Sequence, residues 1–218
     1  MKIGLHRALH YIHGENSFTG IKNIEHKIDF IELDFQLTKD GVLILHHDEY
    51  DKNDLIISEN IHKDILIDKK KGSLNGKQVV DYIMNETDIG LNVEFKVSPF
   101  FGNKIDVEKY IEYFIDYPQE RIFYSSFNSK LIYSLKQKFP EMEVGLLFES
   151  SFDLLNLKWE LLDNLHPHWT VIEDELIDVC KKKKKKIITY TVNSRNIFVK
   201  LKNLDIYGII TNHPDLIN

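Results

Sequence analysis

The chain has 218 residues, with 28 Lys or Arg against 34 Asp or Glu, so its formal charge at pH 7 is −6. Hydrophobic residues make up 43%, which excludes a mainly disordered chain, and the single cysteine, Cys180, excludes a disulfide framework and a cysteine-based zinc cluster. The acidic balance argues against nucleic acid as a partner, and no apolar run reaches the roughly 18 residues of a membrane helix.

The beginning of the chain is polar. Met1 is followed at once by Lys2, and Arg7 comes before any long apolar stretch. A secretory signal needs an uninterrupted apolar segment, so we expect a cytoplasmic protein with no stable membrane insertion. No linker rich in Pro, Ser or Gly divides the sequence, and we therefore predict one domain over residues 1–218.

Short apolar runs followed by amphipathic stretches recur along the chain. Strands are predicted at residues 2–6, 29–35, 91–97, 121–125, 143–148, 162–166, 187–192 and 206–211. Helices are predicted at residues 108–115, 130–139 and 173–184, where apolar side chains recur at spacings of three and four. Eight strands alternating with helices predict an α/β fold, a (β/α)8 TIM-type barrel of parallel strands. An open doubly wound sheet is the competing arrangement.

A turn signal follows the second strand. The sequence Thr38-Lys39-Asp40-Gly41 precedes a short apolar run at residues 42–45, and Asp-Gly is typical of tight hairpins. We therefore predict a short extra β-hairpin after strand 2. Residues 49–90 are the least regular part of the sequence, and we expect a long loop region over the barrel mouth with one helix near residues 78–84.

Two predicted strands carry charges where parallel strands are normally apolar. Side chains alternate along a strand, so Glu32 and Asp34 share one face while apolar neighbours take the other. In the same way, Glu94 and Lys96 share a face on the third strand. If the apolar faces pack on helices, three carboxylates and a lysine point into the barrel near its C-terminal mouth.

Three converging carboxylates admit two interpretations. They form an all-oxygen site of the kind that Mg²⁺ or Ca²⁺ prefers, or they form ion pairs with Lys96 and Arg7. Both remain open at this point. Catalytic groups of such barrels gather at the C-terminal ends of strands, where His6 and His47 are also expected. Histidines can give and take protons near neutral pH, so the set favours phosphate-ester chemistry.

These residues also resemble a known family. The chain is similar to the glycerophosphodiester phosphodiesterases, within the wider group of phosphatidylinositol-phospholipase-C-like barrels. The resemblance extends in order over nearly the whole chain and rests on these segments: His6-Arg7, Glu15-Asn16, Ile31-Glu32-Leu33-Asp34, Thr38-Lys39-Asp40-Gly41, His47-Asp48, Asn92-Val93-Glu94-Phe95-Lys96, Ser125-Ser126-Phe127, Thr191-Val192-Asn193 and Gly208-Ile209-Ile210-Thr211.

The resemblance implies a metal-dependent enzyme that hydrolyses glycerophosphodiesters to glycerol 3-phosphate and an alcohol. By position, it implies the following roles: Glu32, Asp34 and Glu94 as ligands of a divalent cation, Mg²⁺ or Ca²⁺; His6 and His47 as the acid–base pair; Arg7 and Lys96 as phosphate-binding residues; Glu15 as an acidic residue near the site. His47 is preferred to His46 because the family motif is His followed by Asp.

The sequence departs from the family pattern at three positions near these motifs. Ala8 replaces the usual Gly, Ser17 the usual Thr, and Tyr190 the usual Trp of the pocket wall, where we expect it to contact substrate. Substrate identity therefore stays open. The alternatives are a diester in which a saccharide or nucleotide carries the glycerol phosphate, a lyase that stops at a cyclic phosphate, and a non-catalytic barrel that binds phosphorylated ligands.

Overall fold

The computed structural model describes residues 1–8, 10–25, 27–97, 106–150 and 157–217. The strands of this part are Lys2–His6 (β1), Phe30–Leu37 (β2), Leu43–His46 (β3), Gly72–Ser73 (β4), Gly90–Phe95 (β5), Ile122–Ser126 (β6), Glu143–Phe148 (β7), Asn164–Pro167 (β8), Lys186–Thr189 (β9) and Gly208–Thr211 (β10). Its α-helices are His10–His13 (α1), Phe18–Lys22 (α2), Gly76–Glu86 (α3), Val107–Ile111 (α4), Ser129–Lys138 (α5), Asp174–Lys182 (α6) and Arg195–Lys202 (α7).

Eight of the strands close into a parallel barrel. Their order around the ring is β1-β10-β9-β8-β7-β6-β5-β2, and β1 pairs with β2 to complete it. All of these pairings are parallel, and in the described part of the chain α-helices lie between successive barrel strands except between β7 and β8, where a 3₁₀ turn at Trp159–Leu161 is described. The predicted (β/α)8 TIM-type barrel is confirmed, and the eight strand predictions correspond in order to β1, β2 and β5 to β10.

The main hydrophobic core lies between the barrel and its helices. Phe35 on β2 and Phe95 on β5 both pack edge to face with Phe114, which follows α4. The ring of Phe95 also stacks on Tyr124 of β6, with 13° between the ring planes. All four side chains are almost completely buried, so the apolar strand faces point toward the helices as the alternation predicts.

The barrel interior has an apolar layer beneath a polar one. Phe30, Ile188 and Ile210 form a small separate cluster, in which Phe30 lies at the start of β2, two residues before Glu32. Toward the C-terminal ends, the buried side chains are polar or charged, and they include Glu32, Asp34, Asn92, Glu94, Ser125 and His166. Polar groups buried inside a barrel need partners, so this layer is where a functional site is expected.

The predicted hairpin after strand 2 is present outside the ring. Strand β3 pairs antiparallel with β2 through the pair Gln36 and Ile44, and β4 pairs antiparallel with β3. Between β3 and β4 lie two short 3₁₀ turns, Ile57–Glu59 and His62–Asp64. The predicted helix near residues 78–84 is part of α3. The sequence analysis missed β4, α1, α2 and α7. The first three span only two to five residues and show no periodic pattern.

No helix in the described ranges has both the length and the apolar character needed to cross a membrane.

Candidate active site

Strand register brings the three predicted carboxylates together. Asp34 of β2 stands opposite Glu94 of β5, and His6 of β1 stands opposite Glu32. One ligand oxygen from each of Glu32, Asp34 and Glu94 lies within 4.8 Å of the others. The three residues are at most 5% exposed. The period-2 alternation of the sequence thus correctly placed them on the inner face of the barrel.

Two cations contact this cluster. The Arg7 Nε lies 2.9 Å from Asp34 Oδ2, and the Lys96 Nζ lies 3.1 Å from Asp34 Oδ1 and also contacts Glu94 Oε1. Glu32 has weaker polar contacts than Asp34 and Glu94. Its Oε2 lies 3.3 Å from the Arg7 backbone nitrogen, and its Oε1 is buried with no hydrogen-bond partner in the described structure. Both interpretations therefore have support, because ion pairs form but two cations face three carboxylates.

The charges of the cluster shift its pKa values in opposite directions. Burial raises the pKa of Glu32 well above its usual range, and the neighbouring carboxylates Asp34 and Glu94 raise it further. Burial also raises the pKa of Glu94, against the charge of Lys96. For Asp34, the charges of Lys96 and Arg7 outweigh burial and hold its pKa below the usual range. Of the three carboxyls, Glu32 is therefore the one whose charged form the cluster disfavours most.

The donor set fits a hard divalent cation. Buried, clustered carboxylate oxygens are the ligands that Mg²⁺ and Ca²⁺ use, and an unpartnered buried oxygen calls for a positive charge. Glu32, Asp34 and Glu94 are the residues that would hold such an ion.

A tight turn after β1 directs Arg7 toward the cluster. Arg7 and Ala8 have φ angles of 50° and 66°, in the left-handed region that favours glycine. This conformation explains why a Gly is usual at position 8, and Ala there costs about 1 kcal/mol. The Arg7 Nη1 donates to Glu15 Oε2 at 2.9 Å, so Glu15 orients the guanidinium. Two of the predicted site residues, Arg7 and Glu15, are therefore in direct contact.

Asn16 holds Asp34 from two sides. Its Nδ2 donates to Asp34 Oδ2 at 2.8 Å, and its Oδ1 accepts from the Asp34 backbone nitrogen at 3.0 Å. The residue is fully buried and has a φ of 51°, a conformation that Asn tolerates better than most residues. The sequence analysis quoted Asn16 as part of a motif but assigned it no role.

His6 borders the carboxylate cluster and is oriented by the end of the chain. Its Nδ1 lies 2.7 Å from Asn212 Oδ1, and its Nε2 lies 3.8 Å from Glu32 Oε2. Because an amide oxygen only accepts, this contact makes Nδ1 the donor and leaves Nε2 facing the cluster. The Asn212 backbone nitrogen in turn donates to Asn193 Oδ1 at 2.9 Å. Asn193 and Asn212 are functional neighbours that the sequence analysis did not assign.

His47 directly follows the last residue of the hairpin strand β3. Its Nδ1 lies 2.9 Å from Asp48 Oδ1, and because an ionised carboxylate only accepts, this contact makes Nδ1 the donor. His47 and Lys96 line one cavity of about 420 Å³, whose wall also includes Gln36 and Phe127. The preference for His47 over His46 agrees with the geometry, because His46 is 4% exposed and its ring nitrogens face the backbone oxygens of residues 71 and 50.

Tyr190 lies one layer behind this cavity. Its ring packs edge to face with Phe127 at 6.1 Å and with His168 at 5.7 Å, and its hydroxyl donates to the Phe148 backbone oxygen. Tyr190 is not among the residues that line the cavity, so its contact with substrate stays a prediction. Phe127 was not singled out as a site residue, yet it is 48% exposed and lies 5.7 Å from the Lys96 ammonium.

The side chains that this parallel barrel brings together indicate a class of protein. Buried carboxylates, an arginine, a lysine and two imidazoles meet at the C-terminal ends of its strands, where barrel enzymes carry their active sites. The combination is that of an enzyme acting on phosphate esters.

Comparison with known proteins identifies the family. The model of the glycerophosphoryl diester phosphodiesterase family matches residues 6–216, and this chain belongs to that family of phosphoric diester hydrolases. A glycerophosphodiester phosphodiesterase of Caldanaerobacter subterraneus is 30% identical, with 94% of this chain and 91% of the relative covered. One from Bacillus altitudinis is 26% identical, with 98% and 95% covered.

Solved structures agree on the fold. A phosphodiesterase of Oleispira antarctica, solved in complex with the product sn-glycerol-3-phosphate, superposes with a TM-score of 0.82 at 19% identity. That match covers 98% of this chain and 94% of the other. A protein of Galdieria sulphuraria described as a glycerophosphodiester phosphodiesterase also gives a TM-score of 0.82, with 19% identity and coverage of 100% and 96%.

Proposed function

We propose that this chain hydrolyses glycerophosphodiesters to glycerol 3-phosphate and an alcohol, with a divalent cation, Mg²⁺ or Ca²⁺, at Glu32, Asp34 and Glu94. One observation carries the proposal: three buried carboxylates converge within 4.8 Å beside two imidazole-bearing segments, and among the residues that the structure describes two cations oppose them. The product bound to the Oleispira antarctica relative supports glycerol phosphate as the recognised part of a small-molecule substrate.

The bound ion would neutralise charge on the phosphate oxygens, as metals do in phosphoryl transfer. Arg7 is oriented by Glu15 and keeps its charge, because Asp34 and Glu32 raise its pKa against the effect of burial. Its planar fork matches a phosphate group. Lys96 lines the cavity and also keeps its charge, because Asp34 and Glu94 outweigh the effect of burial on its pKa. These two residues would bind and orient the diester.

His6 and His47 would carry the protons. Nδ1 of each ring faces an acceptor, Asn212 in one case and Asp48 in the other, so Nε2 is the nitrogen of each ring that would transfer the proton. One imidazole accepts the proton of the attacking hydroxyl, and the other donates a proton to the leaving alcohol. Each positioned group of this kind contributes about 10²–10⁴-fold to the rate.

A panel of glycerophosphocholine, glycerophosphoethanolamine and glycerophosphoglycerol tests the proposal. We expect release of glycerol 3-phosphate with Mg²⁺ or Ca²⁺ present and its loss with EDTA, and loss of turnover in Glu94→Gln and His47→Ala. The absence of hydrolysis across the panel, with either cation supplied, would refute the proposed substrate class. Full turnover in His47→Ala would refute the acid–base assignment.

A further inference from the structure

We propose that Gln36 is a positioning residue for His47. The inference rests on the proposed function, because it takes His47 as a proton-transfer group. Gln36 is 5% exposed and lies on β2, on the same face as Glu32 and Asp34. Its side chain therefore points from the carboxylate-bearing strand toward the end of the hairpin strand.

Both hydrogens of the Gln36 amide are used on the backbone around His47. The Nε2 donates to the His46 backbone oxygen at 2.8 Å and to the Asp48 backbone oxygen at 2.7 Å. The first carbonyl belongs to the residue before His47, and the second belongs to the residue after it. One side chain thus spans His47 and holds the backbone on both sides of it, which sets the position of its imidazole.

The place of His47 in the hairpin makes this contact important. Strand β3 ends at His46. His47 therefore lies outside the β2–β3 pairing and is not held by the hydrogen bonds of that pairing. Its side chain is 38% exposed, and the contact with Asp48 comes from the adjacent residue, which moves with it. Gln36 is anchored in β2, whose neighbouring residue Asp34 belongs to the carboxylate cluster. The amide therefore ties the imidazole to the cluster.

A substitution at Gln36 tests this role, and the chain contains a matched control. Gln36→Met keeps the approximate volume and removes both donations. Gln119 makes the same pattern elsewhere: its Nε2 donates to the Phe114 and Tyr117 backbone oxygens at 2.8 and 3.0 Å. Gln119 precedes β6, at the end of the barrel away from the mouth. Gln119→Met should therefore disturb the fold without affecting turnover.

Steady-state kinetics on the hydrolysed diester separates the possible outcomes. We expect kcat of Gln36→Met to fall by about 10²-fold with KM within about twofold, as for a displacement of a catalytic group by about 1 Å. Gln119→Met should keep the wild-type kcat. Wild-type kcat in Gln36→Met would overturn the inference. A rise in KM at unchanged kcat would also overturn it, because it would make Gln36 a substrate contact instead.

A double mutant distinguishes positioning from general damage. If Gln36 acts through His47, Gln36→Met lowers the residual kcat of His47→Ala no further; an additional loss in the double mutant overturns the inference. If Gln36→Met does not fold, Gln36→Asn decides by the same measurements, because it withdraws the amide by one methylene but stays polar. Full activity of His47→Ala would instead refute the proposed function, whatever Gln36→Met does.

Discussion

His166 offers a test of the polar barrel interior that does not depend on catalysis. It lies on β8, it is fully buried, and both ring nitrogens lack a hydrogen-bond partner in the described structure. The absence of a side chain at Gly145 leaves room for the ring, since a Cβ there would lie 2.7 Å from His166 Nε2. Burial lowers the pKa of His166 from 6.5 to about 3, so the folded protein holds it neutral.

The sign of the pH effect follows from comparing the two states. In the unfolded chain the imidazole takes up a proton below pH 6.5, whereas in the folded chain it stays neutral down to about pH 3. The unfolded state binds more protons in this window, so stability falls as the pH falls. Each pH unit changes the folding equilibrium about tenfold, and the two units from pH 6.5 to 4.5 therefore remove about 3 kcal/mol.

Urea unfolding followed by far-UV circular dichroism at pH 7 and pH 4.5 measures this loss. His166→Leu removes the titrating group, and it should lose about 3 kcal/mol less than the wild type between the two pH values. His168→Leu is the matched control, because His168 lies two residues along at the partly exposed end of the same segment. Equal losses in the wild type and His166→Leu would refute the account of a buried neutral imidazole.

Three further predictions concern the carboxylate cluster and His6. Mg²⁺ or Ca²⁺ at 100 times its dissociation constant should stabilise the folded protein by about 3 kcal/mol, which raises the melting temperature by several degrees in a thermal-shift assay. Glu32→Gln should abolish this rise. Asn16→Ala breaks both contacts with Asp34, so its free energy of unfolding, from urea titration, should fall by about 3 kcal/mol. Asn212→Ala removes the acceptor of His6 Nδ1 and should lower kcat by about 10–100-fold in steady-state assays, with unchanged KM.

The sequence revealed the carboxylates because they break a local rule. Glu32, Asp34 and Glu94 interrupt apolar strands with period 2, and strand alternation then fixes the face they share. The barrel was predictable for a similar reason, since eight apolar runs alternate with amphipathic stretches. These features need only neighbouring residues and the geometry of one strand. The exact ends of elements were less predictable, and β5 ends at Phe95 instead of continuing to Val97.

The positioning residues were not predictable in this way. Asn212 contacts His6 across 206 residues of sequence, and nothing local marks it as the acceptor of an imidazole. The role of Gln36 depends on two backbone oxygens of a different strand, which no side-chain pattern shows. Their partners are set by how the barrel closes and by how the hairpin folds back on β2. Long-range contacts of this kind have to be read from coordinates.

Asp34 and Glu94 contact cations, whereas one oxygen of Glu32 has no partner in the described structure, and this difference implies a conflict between stability and function. Glu32 is buried beside Asp34 and Glu94, and its Oε1 has no partner among the described residues, so its charge destabilises the ion-free fold. The apolar cluster of Phe30, Ile188 and Ile210 contains no charged group and so does not destabilise the fold in this way. Neutralising Glu32 should therefore stabilise the ion-free protein while it weakens cation binding. A single buried oxygen would then account both for lower stability without the ion and for the capacity to bind it.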